Sequence, residues 1–309
     1  MIIKSIHITE ILILIILANF IPAHLGSADA TNTQPTNCYI SPQPRINWHD
    51  CSLTGKNLSG AKLDDSDLSY TDLSNANLAG ASLKGVNLSG ANLSGANLSG
   101  ANLAYAKLYG VNLMHAKLAG ANLYQSSLAG ANLENLNLSN ISMPFTDLSY
   151  AYMKGDNLNG ADLSSANLSY VILTGSNLHG AKLYNTNFFN ANAGNVDFSK
   201  SILGGINFFN ANLTGSNLSY ADLTAANLSY SKSNGADFTG STLIDSNFNY
   251  AELNGAKFEK SDLTNSILSN AILSNTDFLD ANLQNADLSH AKITYSIFFC
   301  FNNPVCLKP

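Results

Sequence analysis

Residues 90–98 read Gly-Ala-Asn-Leu-Ser-Gly-Ala-Asn-Leu, which is one five-residue unit and most of the next. A large apolar residue, usually Leu, recurs at every fifth position from Leu53 to Phe298 without insertion or deletion, and only Ala193 and Ser233 are small. Two residues before it stands a small residue, most often Ala. A period of five matches neither an α-helix, at 3.6 residues per turn, nor a strand, at 2. We therefore expect each unit to form one short side of a coil, with the Leu and the small residue pointing inward.

The last residue of each unit is expected to turn a corner. It is often Gly or Asn, which adopt positive φ at low cost. The only proline of the run, Pro144, falls in the outward part of its unit, where a turn accepts it. Only 12% of the residues are charged, so the outward positions are filled mainly by uncharged polar residues.

The pattern resembles that of the pentapeptide-repeat protein family over about residues 51–298. The resemblance implies an all-β fold, a right-handed quadrilateral parallel β-helix with four repeats per coil. Residues 20 apart then stack in columns, and the eight core Phe residues fall in two columns on opposite sides of the square. One column holds Phe188, Phe208 and Phe248, and the other holds Phe198, Phe238, Phe258, Phe278 and Phe298. The resemblance does not specify a function, because this fold serves many roles.

The N-terminus reads as a signal peptide over residues 1–30. Lys4 precedes an apolar run from Ile11 to Ile21, and Ala28-Asp29-Ala30 is a small-x-small cleavage site. A membrane anchor is the alternative, but a spanning helix needs about 20 apolar residues. We expect cleavage after Ala30, export to a periplasm, lumen or extracellular space, and no stable membrane insertion afterwards.

Four cysteines stand in two pairs at the ends of the repeat run, where we expect caps at residues 31–50 and 299–309. The nearest pairing joins Cys38 to Cys51 and Cys300 to Cys306, although sequence alone allows three connectivities. Export favours disulfides. A zinc site at Cys38, His49 and Cys51 is an alternative that lacks a fourth ligand. The end coils of a solenoid expose unpaired edges, so caps are needed there. Lys56 places a charge at an otherwise inward position near the first cap.

No catalytic constellation is apparent, and we expect neither an enzyme nor a bound cofactor or metal. Ser occurs throughout as a repeat position, so no Ser/His/Asp set stands out from that background. The histidines outside the signal peptide are scattered along the run at His49, His115, His179 and His290.

One outward feature exceeds the repeat background. With 20 residues per coil, one corner line holds Tyr70, Tyr150, Tyr170, Tyr230 and Tyr250, and Phe189 and Phe209 lie one residue before that line. Exposed contiguous aromatic surface often marks a binding face. We predict a partner-binding strip in which ring faces stack on sugar rings or on apolar groups. The alternative is a ladder of rings that stabilises the corner by stacking on one another.

These features favour a structural or interaction scaffold whose partner is a protein or a glycan. The alternative implied by the family resemblance is a DNA mimic that protects gyrase, a topoisomerase. About 60 Å of duplex carries roughly 35 negative charges, whereas the formal net charge of this chain is −6. We therefore expect neither DNA mimicry nor a nucleic-acid partner.

Overall fold

The computed structural model describes residues 38–306, which form a right-handed quadrilateral parallel β-helix. The predicted signal peptide lies outside these residues. The residue before each core position bridges the residue 20 positions later in a parallel ladder, beginning with Asn47 and Asp67. Most rungs are single bridges; the exceptions are β1 (Ile272–Ser274) and β2 (Lys292–Thr294), which pair in parallel with Leu273 opposite Ile293. Within residues 38–306, no helix is long and apolar enough to cross a membrane.

The inward and corner assignments are confirmed along the coil. The Leu positions and most of the small positions are buried in one continuous core. The last residue of each unit has positive φ whether it is Gly90 (67°), Asn75 (56°) or Tyr70 (56°). Pro144 occupies the turn position before Phe145, outside the ladder. The five-residue period therefore sets both the apolar interior and the four corners.

The two predicted Phe columns are also confirmed. In one column the rings of Phe238, Phe258 and Phe278 stack with centroids 4.9 and 5.0 Å apart. Phe248, from the facing column, meets Phe258 edge to face at 5.8 Å. The two columns thus touch across the core and fill its diameter.

The recurrent Asn before each core residue has a structural role that the sequence analysis did not identify. Its side-chain oxygen accepts the backbone N–H two residues later, as Asn97 does from Ser99 at 3.2 Å. Its amide donates to the same position one coil earlier, as Asn97 does to Asn77 at 3.2 Å. The residue therefore both closes the corner and links the coils. Its recurrence at spacings of 20 was the signal that could have shown this.

The bridge ladder lacks one rung among residues 38–306, between Lys117 and Asn137. The small inward residue is replaced on either side of Asn137 by Leu136 and Ile141, both buried. The expectation of a small residue at every inward position was wrong here. Ile206 is buried at the same kind of position with its rungs intact, so a larger inward side chain does not by itself remove a rung.

Both cysteine pairs form disulfides, with Cα–Cα distances of 5.6 Å for Cys38–Cys51 and 5.0 Å for Cys300–Cys306. Since Cys38 and Cys51 are bonded to each other, they are not available as the zinc ligands considered above. Trp48 is buried at the N-terminal end of the core. Lys56 is exposed, so the expectation of an inward charge was wrong: the end coil leaves room for its side chain to reach solvent.

The C-terminal cap covers only part of the last coil. Phe301 accepts the backbone N–H of Leu283 at 3.1 Å, and the Asn303 amide donates to the carbonyls of Leu283 and Ala286 at 3.0 and 3.1 Å. Ile293, expected to lie in the core, is 41% exposed because no coil of the described residues stacks on it. Within residues 38–306, the cap therefore closes one side of the terminal edge and leaves the side around Ile293 uncovered.

We predict that Cys300→Ser with Cys306→Ser loosens this cap. Closing a loop of this length is worth about 2 kcal/mol in the chain-entropy model. Hydrogen exchange should show faster exchange at the Leu283 and Phe301 amides, while Cys38→Ser with Cys51→Ser leaves those amides unchanged. Equal protection in the C-terminal variant and the unmodified protein would contradict the prediction.

Candidate functional site

Six of the seven predicted strip residues come together, and we call them the aromatic strip. Successive ring centroids from Tyr150 to Tyr250 are 4.7, 5.6, 5.6, 5.3 and 5.1 Å apart. The four tyrosines are about half exposed. The strip runs over six consecutive coils and comprises Tyr150, Tyr170, Phe189, Phe209, Tyr230 and Tyr250. It forms a continuous aromatic surface along one corner.

Tyr70, the seventh predicted member, is separate from the strip. Its ring meets His49 edge to face at 5.6 Å. It also lies against Gly90, where an added Cβ would come within 2.6 Å of the ring. Gly90, Gly110 and Gly130 occupy the same corner line between Tyr70 and Tyr150 and interrupt the line of rings.

Three of the five ring contacts in the strip are stacked, whereas Tyr170 meets Phe189 edge to face at 73° and Phe209 is tilted by 47° against Tyr230. Tyr150 and Tyr170 are parallel to within 3°, Phe189 and Phe209 to within 12°, and Tyr230 and Tyr250 to within 16°. Stacked neighbours cover the faces that the sequence analysis expected to meet a sugar or an apolar group. What the strip offers along its length is ring edges, which carry partial positive charge, and phenol hydroxyls.

The backbone does not favour Tyr at this corner. Tyr150, Tyr170, Tyr230 and Tyr250 have φ between 57° and 59°. For a residue with a Cβ this conformation costs roughly 1–2 kcal/mol, and Gly avoids that cost. Cross-strand ring pairs return roughly 0.2–1 kcal/mol each. The ring contacts therefore offset only part of the backbone cost and supply no net gain in stability.

A row of amides borders the strip on the preceding side of the square. We call Asn167, Asn187, Asn207 and Asn227 the asparagine row. Each amide donates one N–H to the residue one coil earlier, at 3.0, 3.1, 2.9 and 3.2 Å in that order, with Asp147 accepting the first. Each side-chain oxygen accepts the backbone N–H two residues later, for example Phe189 at 3.2 Å and Phe209 at 3.1 Å. The row is thus held rigidly at the coil spacing.

A second aromatic group was missed in the sequence analysis. Tyr105, Tyr124 and Phe145 lie along the neighbouring corner, with centroids 5.7 and 5.8 Å apart and all edge to face. Lys84 lies over the Tyr105 ring at 5.7 Å. Tracing every outward aromatic by its position in the 20-residue coil would have found this group.

Asp156 was also missed, although it is the one acidic residue at an inward position of the repeat. It is 1% exposed, and one carboxylate oxygen accepts the Leu136 N–H at 2.8 Å while the other has no partner. Burial raises the pKa of Asp156 to about 8, the Leu136 N–H opposes this rise, and the charge of Glu134 adds to it. The register of the repeat would have been enough to identify Asp156, because it assigns this acidic residue to an inward position where a small residue is expected.

Comparison with known proteins agrees with this architecture. The family model of pentapeptide repeats matches in eight copies that cover residues 49–155, 157–192 and 194–294. A comparison with curated proteins gave no match.

Solved structures of pentapeptide-repeat proteins are similar to the chain. HetL of Nostoc sp. strain PCC 7120, described as involved in heterocyst differentiation regulation, is 25% identical over 85% of this chain and 92% of its own, with a TM-score of 0.27. A protein of the Arabidopsis thaliana thylakoid lumen is 30% identical over 36% of this chain and 68% of its own, with a TM-score of 0.22. QnrB1, described as a plasmid-mediated fluoroquinolone resistance protein, is 20% identical over 64% of this chain and 88% of its own, with a TM-score of 0.43.

Proposed function

The chain belongs to the pentapeptide-repeat family, and from that premise we propose that it is a non-catalytic interaction scaffold that presents the aromatic strip to a partner outside the cytoplasm. The observation that carries the proposal is the continuity of the strip over six coils at a corner where Gly is the cheaper residue. Two disulfides support an oxidising compartment.

DNA mimicry is the alternative, and charge argues against it. A duplex of about 60 Å carries roughly 35 negative charges. The chain has 21 acidic and 15 basic residues, for a formal net charge of −6. Its outward positions are mainly Asn and Ser, which cannot reproduce the field of a phosphate backbone. A gyrase supercoiling assay with a quinolone is expected to show no protection by this protein.

We predict that replacing Tyr150, Tyr170, Tyr230 and Tyr250 by Ser abolishes partner capture with little loss of stability. The variant loses four of the five ring contacts of the strip, each worth roughly 0.2–1 kcal/mol, and keeps the positive-φ corners. The measurement compares what the unmodified protein and the variant retain from the native extracytoplasmic fraction, together with their thermal melts.

The matched control is Tyr105→Ser with Tyr124→Ser, which removes exposed rings from the neighbouring corner. It should retain the partner. If the quadruple variant loses several kcal/mol and still captures the partner, the strip is structural and the proposed site is wrong.

A further inference from the structure

The asparagine row exposes hydrogen-bond donors without matching acceptors. In Asn167, Asn187 and Asn207 the side-chain oxygen accepts both a backbone N–H and the amide of the next coil. In Asn227 it accepts the backbone N–H and the hydroxyl of Ser229. One amide N–H of each residue donates to the residue one coil earlier, and the second has no hydrogen-bond partner among residues 38–306. The row therefore presents one free N–H per coil, at a spacing of about 4.8 Å.

This donor row lies in an uncharged part of the surface. Five units carry the row and the strip from Tyr170 to Tyr250, namely residues 166–170, 186–190, 206–210, 226–230 and 246–250, and none contains Asp, Glu, Lys, Arg or His. The sixth unit of the strip, residues 146–150, contains Asp147, which accepts the Asn167 amide N–H. The adjacent ring edges also carry partial positive charge. From Tyr170 to Tyr250 the surface thus favours oxygen acceptors while supplying no net charge.

Two classes of polymer fit this surface poorly. The edge of a polypeptide strand alternates N–H and C=O groups, so half of its groups would meet donors and stay unsatisfied. A polyanion needs Lys or Arg to replace its counterions, and the five units have neither. A neutral polymer rich in hydroxyl, ether and acetal oxygens satisfies the donors and costs no charge desolvation.

We propose that the asparagine row and the aromatic strip together bind a neutral, extended polysaccharide that lies parallel to the rod axis. This inference rests on the proposed scaffold function and names its partner class. One sugar unit of an extended glycan has a length comparable to the coil spacing, so successive units meet successive amides. The phenol hydroxyls and ring edges of Tyr170 and Tyr230 contact the same chain from the corner.

The test is calorimetric titration of the disulfide-intact protein with neutral hexasaccharides of four kinds: β-1,4-glucan, β-1,3-glucan, α-1,4-glucan and β-1,4-mannan. At least one of these hexasaccharides should bind saturably and more tightly than the trisaccharide of the same linkage. The row from Asn167 to Asn227 extends over about 14 Å, so a longer glycan can meet all four amides. Hexagalacturonate, a polyanion of similar size, should bind more weakly.

Asn207→Asp removes both amide N–H groups, the free one and the one that donates to Asn187, and adds a charge while keeping an oxygen for the Phe209 N–H. It should weaken binding about tenfold. Asn77→Asp is the matched control, because Asn77 likewise lies between Asn57 and Asn97 in an amide ladder, with no aromatic strip beside it. The ladder already contains an Asp that bridges the Asn one coil earlier, in the pair Asn177 and Asp197. Both variants should therefore fold.

The inference is overturned by no binding of any neutral hexasaccharide, by preference for hexagalacturonate, or by equal weakening in both variants. If no glycan binds while a protein partner is captured and lost in the quadruple Tyr variant, the polysaccharide inference fails and the scaffold function stands. If neither binds through the strip, both fail.

Discussion

Replacing Phe258 by Ala is expected to destabilise the C-terminal third of the β-helix by about 3–5 kcal/mol. Phe258 is fully buried, stacks on Phe238 and Phe278, and meets Phe248 edge to face. Ala would leave a cavity between rings that the ladders above and below hold in place. The coils cannot close this cavity without breaking their own hydrogen bonds.

Hydrogen exchange in urea is the appropriate measurement, because solenoids lose stability locally rather than as one unit. Protection should fall mainly at amides near the cavity, including Phe258 and Phe238. Asn92→Ala is the control: its side chain bonds to Asp72, Ser94 and Asn112 on the outside of the coil, and its loss should cost about 1–2 kcal/mol. Equal losses in the two variants would mean that the inward and outward assignment is wrong.

The fold could be predicted from the sequence because one rule repeats without interruption. Each core Leu or Phe stacks on the core residues 20 positions before and after it. The register of one unit therefore determines the register of all. The Phe columns followed from this arithmetic once the family resemblance supplied four repeats per coil. The exceptions lie where the rule is broken or at the last described coil: Leu136 and Ile141 coincide with the missing rung, and no described coil covers Ile293.

The candidate site could be predicted in position but not in geometry. The corner line placed Tyr150, Tyr170, Tyr230 and Tyr250 correctly, since positions 20 apart must stack. Whether rings present their faces or their edges depends on side-chain torsions, which the period does not fix. The five-residue period could not predict the free N–H groups of the asparagine row either. They are identified only when every hydrogen bond of each amide is known.

The stability of the protein is expected to fall as pH rises from about 4 to about 8, because of Asp156. Burial raises its pKa to about 8 in the folded state, against about 3.9 in an unfolded chain. Between these values the folded state holds a proton that the unfolded state has lost. The contribution is therefore fully present below about pH 4 and is lost as pH rises through the folded pKa, by about 5 kcal/mol in all.

Asp156→Ser and Asp156→Asn should both remove this dependence. Ser is compatible with the site, since Ser176 occupies the same inward position one coil later and donates to the Met153 carbonyl at 2.7 Å. Asn keeps an oxygen that can accept the Leu136 N–H, so the two variants separate the charge from the hydrogen bond. Hydrogen exchange at the Leu136 and Asn157 amides, measured from pH 4 to pH 9, should show the difference between protein and variants growing with pH in favour of the variants. A constant difference across that range would mean that Asp156 does not change its protonation state on folding, and that its buried carboxylate is compensated by groups other than the Leu136 N–H.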